Sequence, residues 1–201
     1  MVYPTTLKKC FALYLAVFSF SVFADEFEFS TFLGQMYSPD LVDSTGNNQL
    51  SVESATNYGL AIAWQDSPNG QGQVMLNAVS HDFNSDTTDG IETYSLDILY
   101  AHFNGIAQFR QQNYVTTVSL GLGGAYFDTK DNEELYPSAT LAFGTRYEFS
   151  DAISFITELR GYASLVDDKD NMFCTDDVCH AQFEDALWIE STISIGIAIK
   201  F

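Results

Sequence analysis

Residues 187–201 read LWIESTISIGIAIKF. Leu187, Ile189, Ile193, Ile195, Ile197, Ile199 and Phe201 fall on one side of this stretch. Trp188, Glu190, Thr192, Ser194, Gly196, Ala198 and Lys200 fall on the other. A period of two places one apolar face on a β-strand. The run is far longer than the usual globular strand of about 5–6 residues. An apolar strand face of this length is an aggregation site unless something apolar covers it. Lipid is such a cover, and a strand tilted through a bilayer uses about 9–11 residues.

The same alternation recurs upstream. A first strand near Glu26 to Met36 turns Phe27, Phe29, Thr31 and Leu33 outward. Asn57 to Gln65 sets Tyr58, Leu60, Ile62 and Trp64 against Gly59, Ala61 and Ala63. Gln73 to Ser80 sets Val74, Leu76 and Ala78 against Gln73, Met75 and Asn77. Ile91 to Phe103 places Tyr94, Leu96, Ile98 and Tyr100 on the apolar face, with Ser95 and Asp97 opposite. Tyr114 to Phe127 opposes Val118, Leu120 and Leu122 to Thr117, Ser119, Gly121 and Gly123. Ala139 to Phe149 opposes Leu141, Phe143, Tyr147 and Phe149 to Thr140, Gly144, Arg146 and Glu148. Ala152 to Leu165 opposes Ile153, Phe155, Leu159 and Leu165 to Ser154, Glu158, Arg160 and Ser164. The second face carries Gly, Ala, Ser and Thr with sparse charges, which suits the interior of a narrow barrel better than a surface in water.

The connections alternate in length. Ser150-Asp151 and Asp66–Gly72 are short, whereas Ser38–Ala55, His81–Gly90, Asp128–Ser138 and Val166–Asp185 are longer and polar. Asn104–Asn113 reads as a longish connection on the short-turn side. Short turns on one side and long loops on the other are the pattern of outer-membrane barrels. The expected fold is all-β: an eight-stranded antiparallel up-and-down transmembrane β-barrel.

The start of the chain belongs to a different class. Lys8 and Lys9 precede an apolar run from Cys10 to Phe23, and Val22-Phe23-Ala24 offers a cleavage site. This is a secretory signal peptide, with 1–24 removed and 25–201 as the barrel domain. Export explains the cysteines: Cys10 leaves with the signal, and Cys174 and Cys179 remain as a pair expected to form a disulfide. A formal charge of −19 argues against nucleic acid as a partner, because phosphates need Lys and Arg.

These residues carry a resemblance. ADEFEF at 24–29, NYGLAIAW at 57–64, LDILYAHFNG at 96–105, LRGYASLVDD at 159–168, the MFC…C loop at 172–179 and the terminal IGIAIKF resemble the small eight-stranded outer-membrane proteins of the OmpA/OmpX type. They look most like the proteobacterial "outer membrane protein β-barrel domain" group. The resemblance covers most of 25–201. It implies an integral outer-membrane location, contact with lipid and lipopolysaccharide, and a monomer. It also implies delivery by periplasmic chaperones to the barrel-assembly machinery, which reads a terminal strand ending in an aromatic residue, here Phe201. It implies no settled activity.

The expected inward charges are Glu28, Asp97, Arg146, Glu148, Glu158, Arg160 and Glu190. Two arginines among five acids in a narrow lumen must pair or be hydrated. The bland reading is an ion-pair and water network that fills the barrel. The sharper one is a constricted pore for ions or small solutes, and an outer-membrane lipid-modifying enzyme comes third. Nothing in the sequence places a substrate, so no catalytic residue, metal or cofactor is expected. His102 is expected outward beside Tyr100 as an interface histidine. Gly121-Leu122-Gly123-Gly124 lacks the βαβ setting of a dinucleotide motif. Of the 27 acids, 18 fall in the predicted outer loops when the second is carried on to Glu92. Asp167, Asp168 and Asp170 fail the EF-hand pattern, with Met172 and no Gly where ligands and turn are needed. The expected role is structural or surface-interacting, without catalysis.

Deleting Phe201 is expected to lower the amount of heat-modifiable, folded protein in outer-membrane fractions and to leave periplasmic aggregates. Unchanged folded levels on semi-native gels would contradict an assembly role for that residue.

Overall fold

The alternation at the C-terminus becomes the strand that closes the molecule. The computed structural model describes residues 27–43, 48–87, 90–129, 132–167, 172–175, 178–179 and 181–201, so the expected signal peptide lies outside the described residues. Eight long strands form the ring: β1 (Phe27–Tyr37), β4 (Ala55–Ser67), β5 (Gly70–Thr87), β6 (Gly90–Gln111), β7 (Tyr114–Asp128), β8 (Glu133–Glu148), β9 (Ile153–Leu165) and β12 (Leu187–Lys200). Two short hairpins sit between them, β2 (Leu41–Val42) with β3 (Gln49–Leu50) and β10 (Cys174–Thr175) with β11 (Val178–Cys179).

Each long strand pairs antiparallel with its neighbours in sequence, in the closed order β1-β12-β9-β8-β7-β6-β5-β4. The ring is shut by β1 against β12, in register from Glu28↔Lys200 to Tyr37↔Ser191. Closure leaves no open strand edge around the middle of the wall, which is what a bilayer requires of a sheet.

Around the middle of the ring the outward positions are large and apolar. Leu60, Val74, Leu122, Leu141, Leu159 and Ile195 are all exposed. Beneath them the inward positions are small or polar, such as Ala61, Asn77, Ser119, Thr140 and Ser194. An apolar belt outside and a polar bore inside make this a membrane-spanning barrel.

Toward the long-loop end the polarity reverses. On β5, Ser80, Asp82 and Asn84 point outward, while Val79, His81 and Phe83 point inward and are buried. On β6 the outward positions are Ser95 and Asp97, and Leu96 and Ile98 are buried at 0% and 2% exposure. This corrects the sequence reading of that strand. Leu96 and Ile98 do not face lipid, and Asp97 does not face the lumen. The reversal marks where the wall leaves hydrocarbon and enters water. Above that line an apolar side chain is stable only inside.

The same reversal corrects the loop assignments. His81–Gly90 is mostly strand, as β5 and β6 run on to Thr87 and Gly90. The segment 128–138 is mostly β8. The expected 104–113 connection is β6 continuing to Gln111, then a two-residue turn in which Gln112 takes a left-handed φ of 57°.

The facing of β6 can be measured. Ile98→Ala should cost about 2–5 kcal/mol as a core truncation, whereas Asp97→Ala should stay within about 0.5 kcal/mol as a surface change. Denaturant unfolding in lipid vesicles reads both. A mild Ile98→Ala and a severe Asp97→Ala would restore the opposite facing.

Candidate functional site

The bore gathers buried polar and ionisable groups in tiers. At the short-turn rim, Arg110 at the end of β6 binds both carboxylate oxygens of Glu148 on β8 at 2.7 Å. Slightly deeper, the Arg146 guanidinium of β8 reaches Glu28 of β1 at 2.5 Å, with both side chains buried. An apolar cluster of Phe32, Met75 and Ile156 shares this part of the bore. Midway, Arg160 Nε donates to Glu158 at 2.7 Å on the same strand, and its Nη1 donates to Thr140 Oγ1 at 3.3 Å.

Above the arginines two tyrosines cross the barrel. Tyr162 of β9 accepts from Asn77 Nδ2 of β5 at 2.6 Å. Tyr100 of β6 donates to Glu190 of β12 at 2.5 Å. In the ring order each of these strand pairs is diametrically opposed. The two rings stack on one another with centroids 4.1 Å apart. A relay of amides braces them: Thr192 Oγ1 donates to Asn57 Oδ1, whose Nδ2 donates to Asn77 Oδ1.

Glu190 is also the foot of the next tier. Ser38, just past β1, donates its hydroxyl to Glu190. His81 Nε2 lies 3.0 Å from Glu190 Oε1 and 3.0 Å from Ser38 Oγ. His81 Nδ1 lies 2.8 Å from the main-chain carbonyl of Glu53. A carbonyl only accepts, so Nδ1 carries a proton. With the serine proton directed at Glu190, Nε2 faces two acceptors, and the arrangement then suits an imidazolium against a carboxylate. Both side chains are fully buried. The network fastens the segment after β1, through Ser38 and Glu53, to the walls β5 and β12.

Over this clamp lies an apolar plug. Leu41, Val52, Met172, Phe173, Ala181 and Phe183 come in from the long loops and pack against Phe83, Ile98, Phe127 and Trp188 of the wall. The aromatic contacts are mostly edge-on, as for Phe127–Tyr136 and Phe173–Phe183, each at 5.2 Å. Val42 and Gln182 exchange main-chain hydrogen bonds at 3.0 and 2.8 Å and tie the two loops together. Cys174 and Cys179 form the expected disulfide across β10 and β11. The hairpin is held from below by Asn132 Nδ2 on the Cys174 carbonyl and Thr129 Oγ1 on the Met172 carbonyl, both at 2.9 Å.

Of the expected inward charges, Glu28, Arg146, Glu158, Arg160 and Glu190 lie in the bore, and Glu148 sits at its rim. They form separate pairs rather than one network. Asp97 is outside, and His102, expected outward, is buried beside Tyr100 and Tyr162. Asp168, Asp170 and His180 lie outside the described residues, while Asp167 is exposed. The sequence reading missed Ser38, His81, Tyr100 and Arg110. The inward parity of Asn57, Asn77 and Tyr162 on their strands was the signal available for the relay.

No family model and no curated protein matches the sequence. Solved structures do match the fold. The outer-membrane protein AlkL, determined in DMPC bilayers, superposes with a TM-score of 0.55 at 13% identity, over 88% of this chain and 90% of that one. Neisserial surface protein A gives 0.51 at 9% identity, over 88% and 97%. The N-terminal β-barrel domain of Pseudomonas aeruginosa OprF gives 0.51 at 13% identity, over 88% and 98%. The chain has the fold of the small integral outer-membrane β-barrels.

Removing one partner of a buried charge pair costs about 3–5 kcal/mol. His81→Ala is therefore expected to destabilise the loop end and to open the segment between Ser38 and Ala55 to limited proteolysis, with the ring still heat-modifiable. Wild-type protease resistance in that variant would show that the clamp does not hold the segment.

Proposed function

We propose that the protein is a monomeric structural barrel of the bacterial outer membrane that presents an acidic, packed outer surface and neither conducts nor catalyses. One observation carries this reading: the bore is crossed by Tyr100 and Tyr162 from opposing walls, and the loop end above them is filled by an aromatic plug. The stacked rings and the packed aromatic side chains above them occupy the bore at that level among the described residues. The ion pairs below neutralise the charges that a polar bore would otherwise leave unpaired. Lipid and lipopolysaccharide are the partners this surface would meet, and the signal peptide and Phe201 fit the route by which such barrels are delivered.

The alternative is a narrow channel for ions or small solutes, which would require the plug and the tyrosine pair to move together. The enzyme reading has less support. Ser38 and His81 make a serine–histidine contact, but a general base needs a free ring nitrogen. Both nitrogens of His81 face acceptors, and the serine proton points at Glu190.

Planar-bilayer recording separates the first two readings. The purified barrel is expected to give no stable single-channel steps, and Tyr100→Ala with Tyr162→Ala is expected to stay silent as well, because the aromatic plug still fills the loop end. Steps in the unaltered protein that change on Arg146→Ala would favour the channel and overturn the closed-barrel reading.

A further inference from the structure

The outer wall carries a depression where the apolar belt meets the polar zone. Across β4, β5, β6 and β7 the outward row reads Tyr58, Ala78, Leu99, Tyr126, each the direct cross-strand partner of the next. Ala78 is the small member between larger neighbours. The result is an open groove of about 440 Å³ floored at Ala78. That volume is within the range of about 300–1,000 Å³ for small-molecule sites.

The next outward row toward water is Thr56, Ser80, Asp97, Asp128, and these residues line the same groove. Asp97 and Asp128 are direct cross-strand partners on one face. Like charges so placed are destabilising. The strand that presents Asp97 keeps Leu96 and Ile98 buried on its other side, so the carboxylate cannot turn away by flipping the strand. The groove is therefore apolar at the depth of acyl chains and anionic at its upper lip.

We propose that this groove seats a single-chain amphiphile with an ammonium head: the alkyl chain lies over Ala78 between Tyr58 and Leu99, and the cation sits at Asp97 and Asp128. Charge complementarity selects the head. A phosphate or carboxylate head would meet two aspartates on a chain whose formal charge is −19, whereas an ammonium relieves their repulsion. The wall thus has a local lipid preference beyond the general adhesion of a hydrophobic belt.

Spin-label EPR tests this directly. The full-length protein is reconstituted in phosphatidylcholine vesicles with a spin-labelled stearyl trimethylammonium probe or with spin-labelled stearate. The motionally restricted fraction is expected to favour the ammonium probe roughly fivefold, the ratio expected from a strong exposed ion pair. Asp97→Asn with Asp128→Asn should bring the ratio near unity. Ala78→Phe should fill the groove and lower the restricted ammonium signal. Asp151→Asn, at the opposite end, should change nothing, and heat-modifiability verifies folding of every variant. Equal binding of the two probes overturns the proposal. So does a preference that Asp151→Asn reduces as much as the double variant, since that reports whole-protein charge. Stearate binding that appears only with added Ca²⁺ would assign the lip to a bridging metal and would also overturn it.

Discussion

Inside hydrocarbon every main-chain N–H and C=O must find a partner within the protein, because no water is there to supply one. The pairing of β1 with β12 meets that demand by joining the two ends of the strand order. The ring's other features follow from this closure. Eight strands enclose a bore only wide enough for side chains, so the inward positions are glycine, alanine, serine and threonine wherever larger groups must cross. Of the large groups inside, Arg146, Tyr100 and Tyr162 meet partners on distant strands, and the closed ring holds those partners at fixed distances.

The wall also records its own depth. Where lipid surrounds it, apolar residues point out and polar ones in. Where water surrounds it, the order reverses and the interior becomes an ordinary apolar core built around Phe83, Phe127, Phe183 and Trp188. The molecule thus joins two kinds of protein along continuous strands. Asp97 and Leu99, two residues apart on the same outward face, lie on either side of the change. The His81–Glu190 pair sits at the matching level inside, where the polar bore gives way to the plug.

This change of phase explains what the sequence revealed and what it concealed. Strands such as β9 and β12 keep one apolar parity along their length, so Leu159, Ile195 and Phe201 could be assigned from alternation alone. On β6, the run from Leu96 to Phe103 contains apolar residues at both parities, because it crosses the boundary. A single-phase reading placed Leu96, Ile98 and Asp97 on the wrong sides. Polar outward residues beyond the boundary, such as Asp82 and Asn84, look like loop residues and hid the extension of β5. The acids Glu28, Glu158 and Glu190 were legible as inward by parity. Their partners were not, because Ser38, His81 and Tyr100 meet Glu190 from segments far away in the chain, and pairing of that kind depends on ring order rather than on local pattern.

The plug has a consequence for how such a chain reaches its final state. With the long loops as the outer ones, as the sequence leads one to expect, everything above the belt would traverse the bilayer before it could pack. During that passage Leu41, Phe173 and Phe183 have not yet found the wall residues they will cover, and their apolar character lowers the cost of transit. Burial against Phe83 and Trp188 comes only after arrival, and it removes the surface that would favour return. In that orientation the packed mouth would act as a latch on vectorial insertion: the hydrophobic effect, which contributes nothing between strands within lipid, becomes available once the segment emerges into water.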